Sequence, residues 1–337
     1  MTVPLQVNHQ LLVALVLTAC MSAPASPPPN ARSPSVRGAM VAIQGQTIHL
    51  DCIGSGSPTV VLESGVGDFA LVWALVQPGV AAVTRVCSYD RGGYVWSTPG
   101  QQPRSYAQIN LELHEALAKA GETGPFVLVG QSYGGPLVRH YAEQFTADVV
   151  GMVLVDALHE DQRIDIGGQV VRLREMAKGR TMPAPKVSPD LALADSFPLR
   201  PAPTDTGSLE APLDRLPPEA QQAWRWASAQ PILRAAAGAE MDWSPEDLAR
   251  LHAGRLHNRR TLGDLPLIVL SRSAVASDSL DAERQRLQAD LVSLSSRGHL
   301  TIAPHAGHNI HLEDPELVVS AIREVVEAAR GMVNGTP

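Results

Sequence analysis

The most informative segment of the chain reads Phe126-Val-Leu-Val-Gly-Gln-Ser132-Tyr-Gly-Gly-Pro-Leu-Val-Arg-His-Tyr-Ala142. It opens with a short apolar run, typical of a strand covered on both faces, and continues into a helical segment. The intervening Gly-x-Ser-x-Gly places Gly130 and Gly134 where a Cβ atom would clash in a sharp turn. The segment therefore predicts that Ser132 projects its hydroxyl from a strained strand-to-helix turn, as a nucleophilic serine does.

Apolar runs and helical stretches alternate along most of the chain. The further runs that suit buried strands are Thr59–Glu63, Thr84–Tyr89, Val149–Val155 and Leu267–Leu270. A hairpin is predicted around Gly45, a helix over Tyr106–Ala120, and a last helix that starts with Asp314 as N-cap and Pro315 at N1. This alternation predicts an α/β fold with a mostly parallel, doubly wound sheet.

Residues 158–262 break the alternation. They contain many prolines, no strong strand run, and two helix starts, Leu216-Pro-Pro-Glu219 and Ser244-Pro-Glu-Asp247. We interpret them as a helical cap inserted after the sixth strand, dividing a core made of residues 39–157 and 263–331. The alternative is a long disordered loop over Pro183–Pro218. An insertion at this point should cover the strand ends where α/β sheets bind ligands.

Composition excludes several classes of protein. The 337 residues are 45% apolar and 18% charged, which is typical of a globular chain. A net charge of −7 without a basic run argues against a nucleic acid partner. The three cysteines include no Cys-x-x-Cys pair, so neither a zinc site nor a disulfide scaffold is predicted.

The N-terminal segment resembles a bacterial lipoprotein signal. Residues 11–19 are uncharged and apolar but shorter than the ~20 residues of a bilayer span. They end in Leu17-Thr18-Ala19-Cys20, which is similar to a lipobox. This implies a signal peptide over 1–19, lipidation of Cys20, a Pro/Ser-rich tether over 20–38, and an exported, membrane-anchored protein facing the periplasm or exterior. Met1–Gln10 lacks Lys and Arg, so an ordinary signal peptide and a disordered start remain alternatives.

Two more motifs complete a resemblance to the α/β-hydrolase family over residues 41–330. Tyr89–Ser97 is similar to the family's Asp-Arg-x-Gly-x-Gly-x-Ser loop after strand four, with Val95 where the second glycine is common. Gly307-His308, before the last helix, is similar to the family's Gly-His loop. The resemblance implies the α/β-hydrolase fold, with Ser132 as nucleophile and His308 as its base.

The resemblance also implies an oxyanion hole made of two backbone amides, from Tyr133 after the nucleophile and from Val66 in the loop after strand three. In that loop Ser64 stands where many members carry histidine. His305 and His311 share the loop of His308 but have no companion carboxylate motif, so no metal is expected. No other cofactor is implied.

The acid of the triad is open between two residues. The family's usual position after strand seven holds no carboxylate, and the next one along the chain is Asp278. Asp156 directly follows the sixth strand, where some members supply the acid, and it is our first choice. Its alternative role is that of a strand-end residue bonded to backbone, and Glu160 or Asp161 is a remote further candidate for the acid.

A disulfide is possible between Cys52 and Cys87. The resemblance implies that strands two and four are neighbours, so the two residues face each other across the pair, and an exported protein can oxidise them. Two buried free thiols are the alternative.

These residues together predict a serine hydrolase that cleaves carboxylic esters of small molecules through an acyl-enzyme. The alternatives are an amidase, a lactonase or a C–C bond hydrolase with the same triad. A further alternative is a non-catalytic surface binding protein built on a hydrolase scaffold. The presence of Ser132 and His308 argues against it, because such a protein needs neither residue. A serine at the turn argues against epoxide hydrolase and dehalogenase chemistry, which uses aspartate there.

Overall fold

The computed structural model describes residues 36–185, 209–273 and 279–334. The predictions for the signal peptide, for Cys20 and nearly all of the tether, and for Asp278 lie outside these residues. The strands are β1 (Ala39–Ile43), β2 (Gln46–Ile53), β3 (Thr59–Glu63), β4 (Val86–Tyr89), β5 (Phe126–Gln131), β6 (Val149–Val155), β7 (Arg163–Ile166), β8 (Gln169–Arg172), β9 (Leu267–Arg272) and β10 (Gly298–Ala303). The α-helices are α1 (Gln77–Ala81), α2 (Tyr106–Lys119), α3 (Gly134–Gln144), α4 (Pro218–Ser228), α5 (Pro231–His257), α6 (Ser279–Leu291), α7 (Ile310–Glu313) and α8 (Pro315–Asn334).

Eight strands form one twisted sheet in the order β1-β2-β4-β3-β5-β6-β9-β10. The β1–β2 and β2–β4 pairs are antiparallel, and the pairs from β4 to β10 are parallel. One face packs against α2 and α3, and the other against α1 and α8. The central strands are apolar along most of their length, as expected for a sheet that is covered on both faces, and the predicted doubly wound sheet is confirmed.

The edge of the sheet contains the hairpin and the cysteine pair. The β1–β2 hairpin turns at Gly45, whose φ of +74° suits glycine. Cys52 on β2 lies directly opposite Cys87 on β4, and the two form a disulfide. The pairing of strands two and four that the resemblance implies is therefore present. Cys52 and Cys87 form a disulfide and are not free thiols.

The predicted starts of the core helices are found. Ser105 accepts a hydrogen bond from Gln108 N at the start of α2, at 3.3 Å. Asp314 Oδ1 accepts one from Leu317 N at the start of α8, at 3.2 Å. Each cap satisfies an amide that has no acceptor within its own helix.

The insertion between β6 and β9 differs from the sequence prediction in two ways. It begins with a short β7–β8 hairpin that the sequence analysis did not predict. The predicted helix start at Ser244 is wrong, because α5 continues through Pro245 and only α4 begins as expected, at Pro218. Among the described residues, no helix is long and apolar enough to cross a bilayer.

Tertiary contacts explain why α5 continues through its proline. Pro245 has no N–H to donate to the carbonyl one turn earlier, which normally weakens a helix. Glu240 and Asp247, on either side of it, are both fully buried and bonded to the core. Ser244 contacts the Tyr106 hydroxyl at 3.3 Å instead of capping a new helix. Contacts on both sides of Pro245 therefore hold the two halves of α5 in line.

Candidate active site

Ser132 occupies a sharp turn between β5 and α3. Its φ of +52° lies in the left-handed region, which costs a non-glycine residue energy. A Cβ atom at Gly130 would lie 2.5 Å from Gly134 O, and one at Gly134 would lie 2.6 Å from Glu63 O. The turn therefore requires glycine on both sides of the serine, as the Gly-x-Ser-x-Gly motif indicates.

Strand register brings Asp156 next to this turn. Gln131 at the end of β5 pairs with Val155 at the end of β6, so Ser132 and Asp156 follow adjacent strand ends. Asp156 is buried and also has a positive φ, +40°. Two non-glycine residues in this conformation at neighbouring strand ends mark the site as one where strain is tolerated.

His308 reaches the same point from the loop after β10. Its Nδ1 lies 2.7 Å from Asp156 Oδ2. Since a carboxylate only accepts, this contact assigns the proton to Nδ1 and leaves Nε2 as an acceptor. The loop is fixed by Gly307 N, which donates to Glu313 Oε2 at 2.8 Å. The side chain of His308 is 43% exposed.

A buried arginine that the sequence analysis missed binds the other oxygen of Asp156. Arg284 Nη1 on α6 donates to Asp156 Oδ1 at 2.6 Å, and Arg272 N donates to the same oxygen at 3.3 Å. Asp281 accepts from the side chains of both arginines. β9 corresponds to the strand after which the family commonly places its acid. Here the end of β9 carries Arg272, which helps to bind Asp156, the carboxylate that follows β6.

The remote candidates for the acid are bound elsewhere. Glu160 accepts from Arg139 Nη1 at 2.6 Å and from Arg255 Nη1 at 2.9 Å. Asp161 accepts from Arg174 Nε. Neither carboxylate has a recorded contact with His308 in the part of the chain that the structure describes.

Ser132 and His308 are close but not hydrogen-bonded to one another in the described part of the chain. Gln131 Nε2, from the residue inside the glycine motif, lies 3.5 Å from His308 Nε2 and 3.5 Å from His308 O. Gln131 Oε1 is buried and accepts no hydrogen bond from any described residue. Hydrogen bonds between a nucleophile and its base are often long in the absence of substrate.

The two amides predicted for the oxyanion hole belong to segments that adjoin Ser132. Tyr133 is the N-cap residue of α3, where backbone N–H groups have no acceptor within the helix. Val66 belongs to the loop after β3, and a Cβ atom on its neighbour Gly65 would lie 3.4 Å from Ser132 Cβ. The loop is therefore in van der Waals reach of the serine, as an oxyanion donor must be.

Asp68 is a second carboxylate near His308 that the sequence analysis did not single out. Burial raises its pKa to about 6, an effect that the positive charges of Arg91 and of protonated His308 partly oppose. In the sequence, only its position three residues after Gly65, in the loop beside Ser132, indicated that Asp68 could lie near the site.

The other two histidines near His308 lie in different environments. His311 is fully buried, its ring lies 4.8 Å from that of Trp73, and burial lowers its pKa to about 3. His305 is exposed. His311 is therefore a neutral core residue.

The sequence is similar to those of known proteins. The profile of the Alpha/beta hydrolase family matches residues 60–321. The uncharacterized protein YqjL of Bacillus subtilis (strain 168) is 25% identical over 278 residues, which make up 82% of this chain and 86% of that protein. The probable transporter efuK of Hormonema carpetanum is 26% identical over 81% of this chain, but the match spans only 40% of that longer protein.

Solved structures share the fold. A thermophilic esterase from Thermogutta terrifontis superposes with a TM-score of 0.57 at 21% identity, covering 87% of this chain and 98% of the esterase. A meta-cleavage product hydrolase from Pseudomonas fluorescens IP01 superposes with a TM-score of 0.59 at 19% identity, with the same coverage. The profile match over most of the chain establishes that this protein is a hydrolase of the alpha/beta hydrolase family.

Proposed function

We propose that the protein is a serine hydrolase that cleaves carboxylic esters of small molecules through an acyl-enzyme. The observation that carries the proposal is the contact of 2.7 Å between His308 Nδ1 and Asp156 Oδ2, at a strand end adjacent to that of Ser132. A base oriented in this way beside a serine on a strained turn is the arrangement that activates a hydroxyl.

The reaction proceeds in two halves. Ser132 Oγ attacks the ester carbonyl while His308 Nε2 takes the hydroxyl proton, and the amides of Val66 and Tyr133 bind the oxyanion. The C–O bond to the alcohol then breaks, and the alcohol leaves with the proton from His308. In the second half His308 takes a proton from water, which attacks the acyl carbonyl. The bond from the carbonyl carbon to Ser132 Oγ then breaks, the carboxylic acid leaves, and His308 returns the proton to Ser132 Oγ.

Asp156 keeps the proton of neutral His308 on Nδ1 and stabilises the ring when it becomes charged. Arg284 and Arg272 hold Asp156 in place from the side opposite the histidine. The side chain of His308 is exposed and Ser132 is half-buried, which supports access of a substrate to both.

The test is labelling with a fluorophosphonate, which reacts with activated serines. We expect one adduct per chain, located on Ser132 by peptide mapping and absent from Ser132→Ala. Absence of labelling in folded wild-type protein would overturn the proposal. A panel of matched p-nitrophenyl esters and p-nitroanilides then separates esterase from amidase activity, since both release a coloured product from the same acyl group.

We also propose that the protein is exported and held at a membrane through lipidated Cys20, on the basis of Leu17-Thr18-Ala19-Cys20. A terminus with several acyl chains anchors firmly, whereas one chain holds only marginally. Cys20→Ser is expected to release the protein into the aqueous phase of a detergent partition or to block processing. Unchanged partitioning of this variant would refute the anchor and leave the hydrolase proposal untouched.

A further inference from the structure

A buried cluster of charges joins the insertion to the loops beside Ser132. Arg91, 1% exposed, lies between two carboxylates: its Nη1 donates to Glu63 Oε1 at 2.6 Å, and its Nε donates to Glu240 Oε1 at 2.9 Å. Glu63 belongs to β3 of the core, whereas Glu240 belongs to α5 of the insertion and is fully buried. Such a cluster persists only if its polar atoms are bonded, and Tyr89 and Tyr94 supply the remaining donors.

The cluster ends on the peptide groups of the proposed oxyanion loop. Arg91 Nη1 donates to Ser64 O at 2.9 Å, and Nη2 donates to Gly65 O at 2.8 Å. In a planar trans peptide the C=O and the following N–H point in opposite directions. By binding Gly65 O, Arg91 therefore fixes the peptide plane and turns the Val66 N–H to the side away from the arginine.

The same loop is bonded a second time through Tyr94. Its hydroxyl accepts a hydrogen bond from Gly67 N at 3.2 Å and donates one to Glu240 Oε2 at 2.7 Å. Glu240 thus holds both Arg91 and Tyr94, and these two side chains bond to the peptides on either side of Val66.

The second proposed donor is also linked to this glutamate. The Tyr133 hydroxyl donates to the backbone carbonyl of Glu240 at 3.5 Å, and the Arg91 guanidinium lies 5.6 Å from the centre of the Tyr133 ring. One residue of the insertion is therefore in contact with the supports of both amides that would bind the oxyanion.

We propose that Glu240 is a positioning residue of the oxyanion hole, which orients the Val66 amide through Arg91 and Tyr94. The insertion then completes the catalytic machinery of the core in addition to covering it. This inference rests on the serine hydrolase function proposed above.

Other buried pairs also attach the insertion to the core, but they end elsewhere. Asp247 accepts from Tyr106 N, and Glu160 accepts from Arg139. The matched control for Glu240 is Glu246, which lies on the same helix, is also buried, and accepts from Arg180 Nε at 2.7 Å within the insertion. It has no recorded contact with the described residues of the oxyanion loop.

The experiment compares Glu240→Gln with Glu246→Gln on a p-nitrophenyl ester and on its thionoester, in which sulfur replaces the carbonyl oxygen. Sulfur is larger and a weaker hydrogen-bond acceptor, so a well-aimed oxyanion hole favours the oxygen compound. Complete loss of one donor lowers kcat by about 10²–10³. For Glu240→Gln we expect kcat for the ester to fall about tenfold or more with little change in KM, and the ester-to-thionoester ratio of kcat to fall with it.

A purely structural role would lower both rates together and leave that ratio at the wild-type value. We expect this unchanged ratio for Glu246→Gln, and finding it for folded Glu240→Gln would overturn the inference. If Glu240→Gln does not fold, Tyr94→Phe replaces it, since it removes only the hydroxyl that links Gly67 N to Glu240 Oε2. An unchanged ratio in Tyr94→Phe overturns the inference equally. A wild type that neither hydrolyses the ester nor takes up a fluorophosphonate overturns the proposed function itself.

Discussion

The strand ends of the core and the insertion between β6 and β9, which we propose to be a cap, use charged residues in different ways. We call the carboxyl ends of the parallel core strands the core edge. There Ser132, Asp156 and His308 each lie in a segment that follows a strand, and the pairing of parallel strands brings them together. In the cap, Glu240 and Asp247 lie on one helix and bond to core residues more than 140 positions away in sequence. Register positions the first group, whereas individual buried hydrogen bonds position the second.

Replacing a carboxylate by its amide should therefore have different consequences in the two regions. A carboxylate at the core edge has been placed to act on a neighbouring ring, so removing its charge should impair catalysis and leave the fold intact. A carboxylate of the insertion that bonds only to the scaffold, as Asp247 does to Tyr106 N, should change stability instead. Glu240 differs from Asp247 because its partners Arg91 and Tyr94 also bond the proposed oxyanion loop.

The largest effect is expected for Asp156→Asn. An amide in place of the carboxylate can hold His308 in the wrong tautomer and cannot stabilise the charged ring, which in a serine protease costs about 10⁴ in turnover. We expect kcat to fall at least about a hundredfold with little change in melting temperature, measured by steady-state ester hydrolysis and by calorimetry.

Asp278→Asn is the control for this variant, because Asp278 was the competing candidate for the acid. It is expected to have a minor effect on kcat. A large loss in Asp278→Asn together with near-normal activity in Asp156→Asn would transfer the role of the acid and contradict the register account of the site.

The disulfide is a further difference between the core and the insertion, because all three cysteines of the chain lie outside the insertion. Cys52 and Cys87 are 35 positions apart, and cross-linking a loop of this length stabilises a fold by about 4 kcal/mol through the entropy of the unfolded chain. The double variant Cys52→Ser, Cys87→Ser should lose free energy of unfolding on that scale in urea denaturation. Wild-type protein in dithiothreitol provides the comparison, and equal stability of all three samples would argue against the bond.

A smaller effect, of opposite sign, is expected for Asp247→Asn. Burial raises the pKa of Asp247 to about 7, opposed by the hydrogen bond from Tyr106 N and reinforced by the charge of Glu246. Between pH 4 and 7 the folded state binds more protons at this carboxyl than the unfolded state does, so its contribution to stability falls as the pH rises.

The asparagine oxygen still accepts from Tyr106 N but carries no charge. Asp247→Asn should therefore have a higher melting temperature than wild type at pH 8, and the two should converge towards pH 4. A variant that is less stable than wild type at pH 8 would show that the charge of Asp247, rather than its oxygen, holds the cap.

The sequence predicted the core edge because its signals are local. Gly-x-Ser-x-Gly between an apolar run and a helix predicts the turn at Ser132, and a carboxylate directly after the next run predicts Asp156 beside it. Val95 is also informative: it replaces the second glycine of the Asp-Arg motif, and its φ of +43° explains why glycine is common there.

The cap resisted prediction because its signals are not local. Ser244-Pro245 has the pattern of a helix start, but contacts of Glu240 and Asp247 with distant core residues keep α5 continuous. Arg284 had no sequence signal either, since its role depends on α6 lying across the end of β9. A single sequence contains no information on which partner a buried charge will find.

Ser132 is the proposed nucleophile at the core edge, and Ser132→Ala removes its hydroxyl alone. Steady-state hydrolysis of a p-nitrophenyl ester should fall by about four or more orders of magnitude in a variant with wild-type circular dichroism, since nucleophile and base act as a unit. Retention of half the wild-type kcat in a preparation free of other esterases would contradict the account.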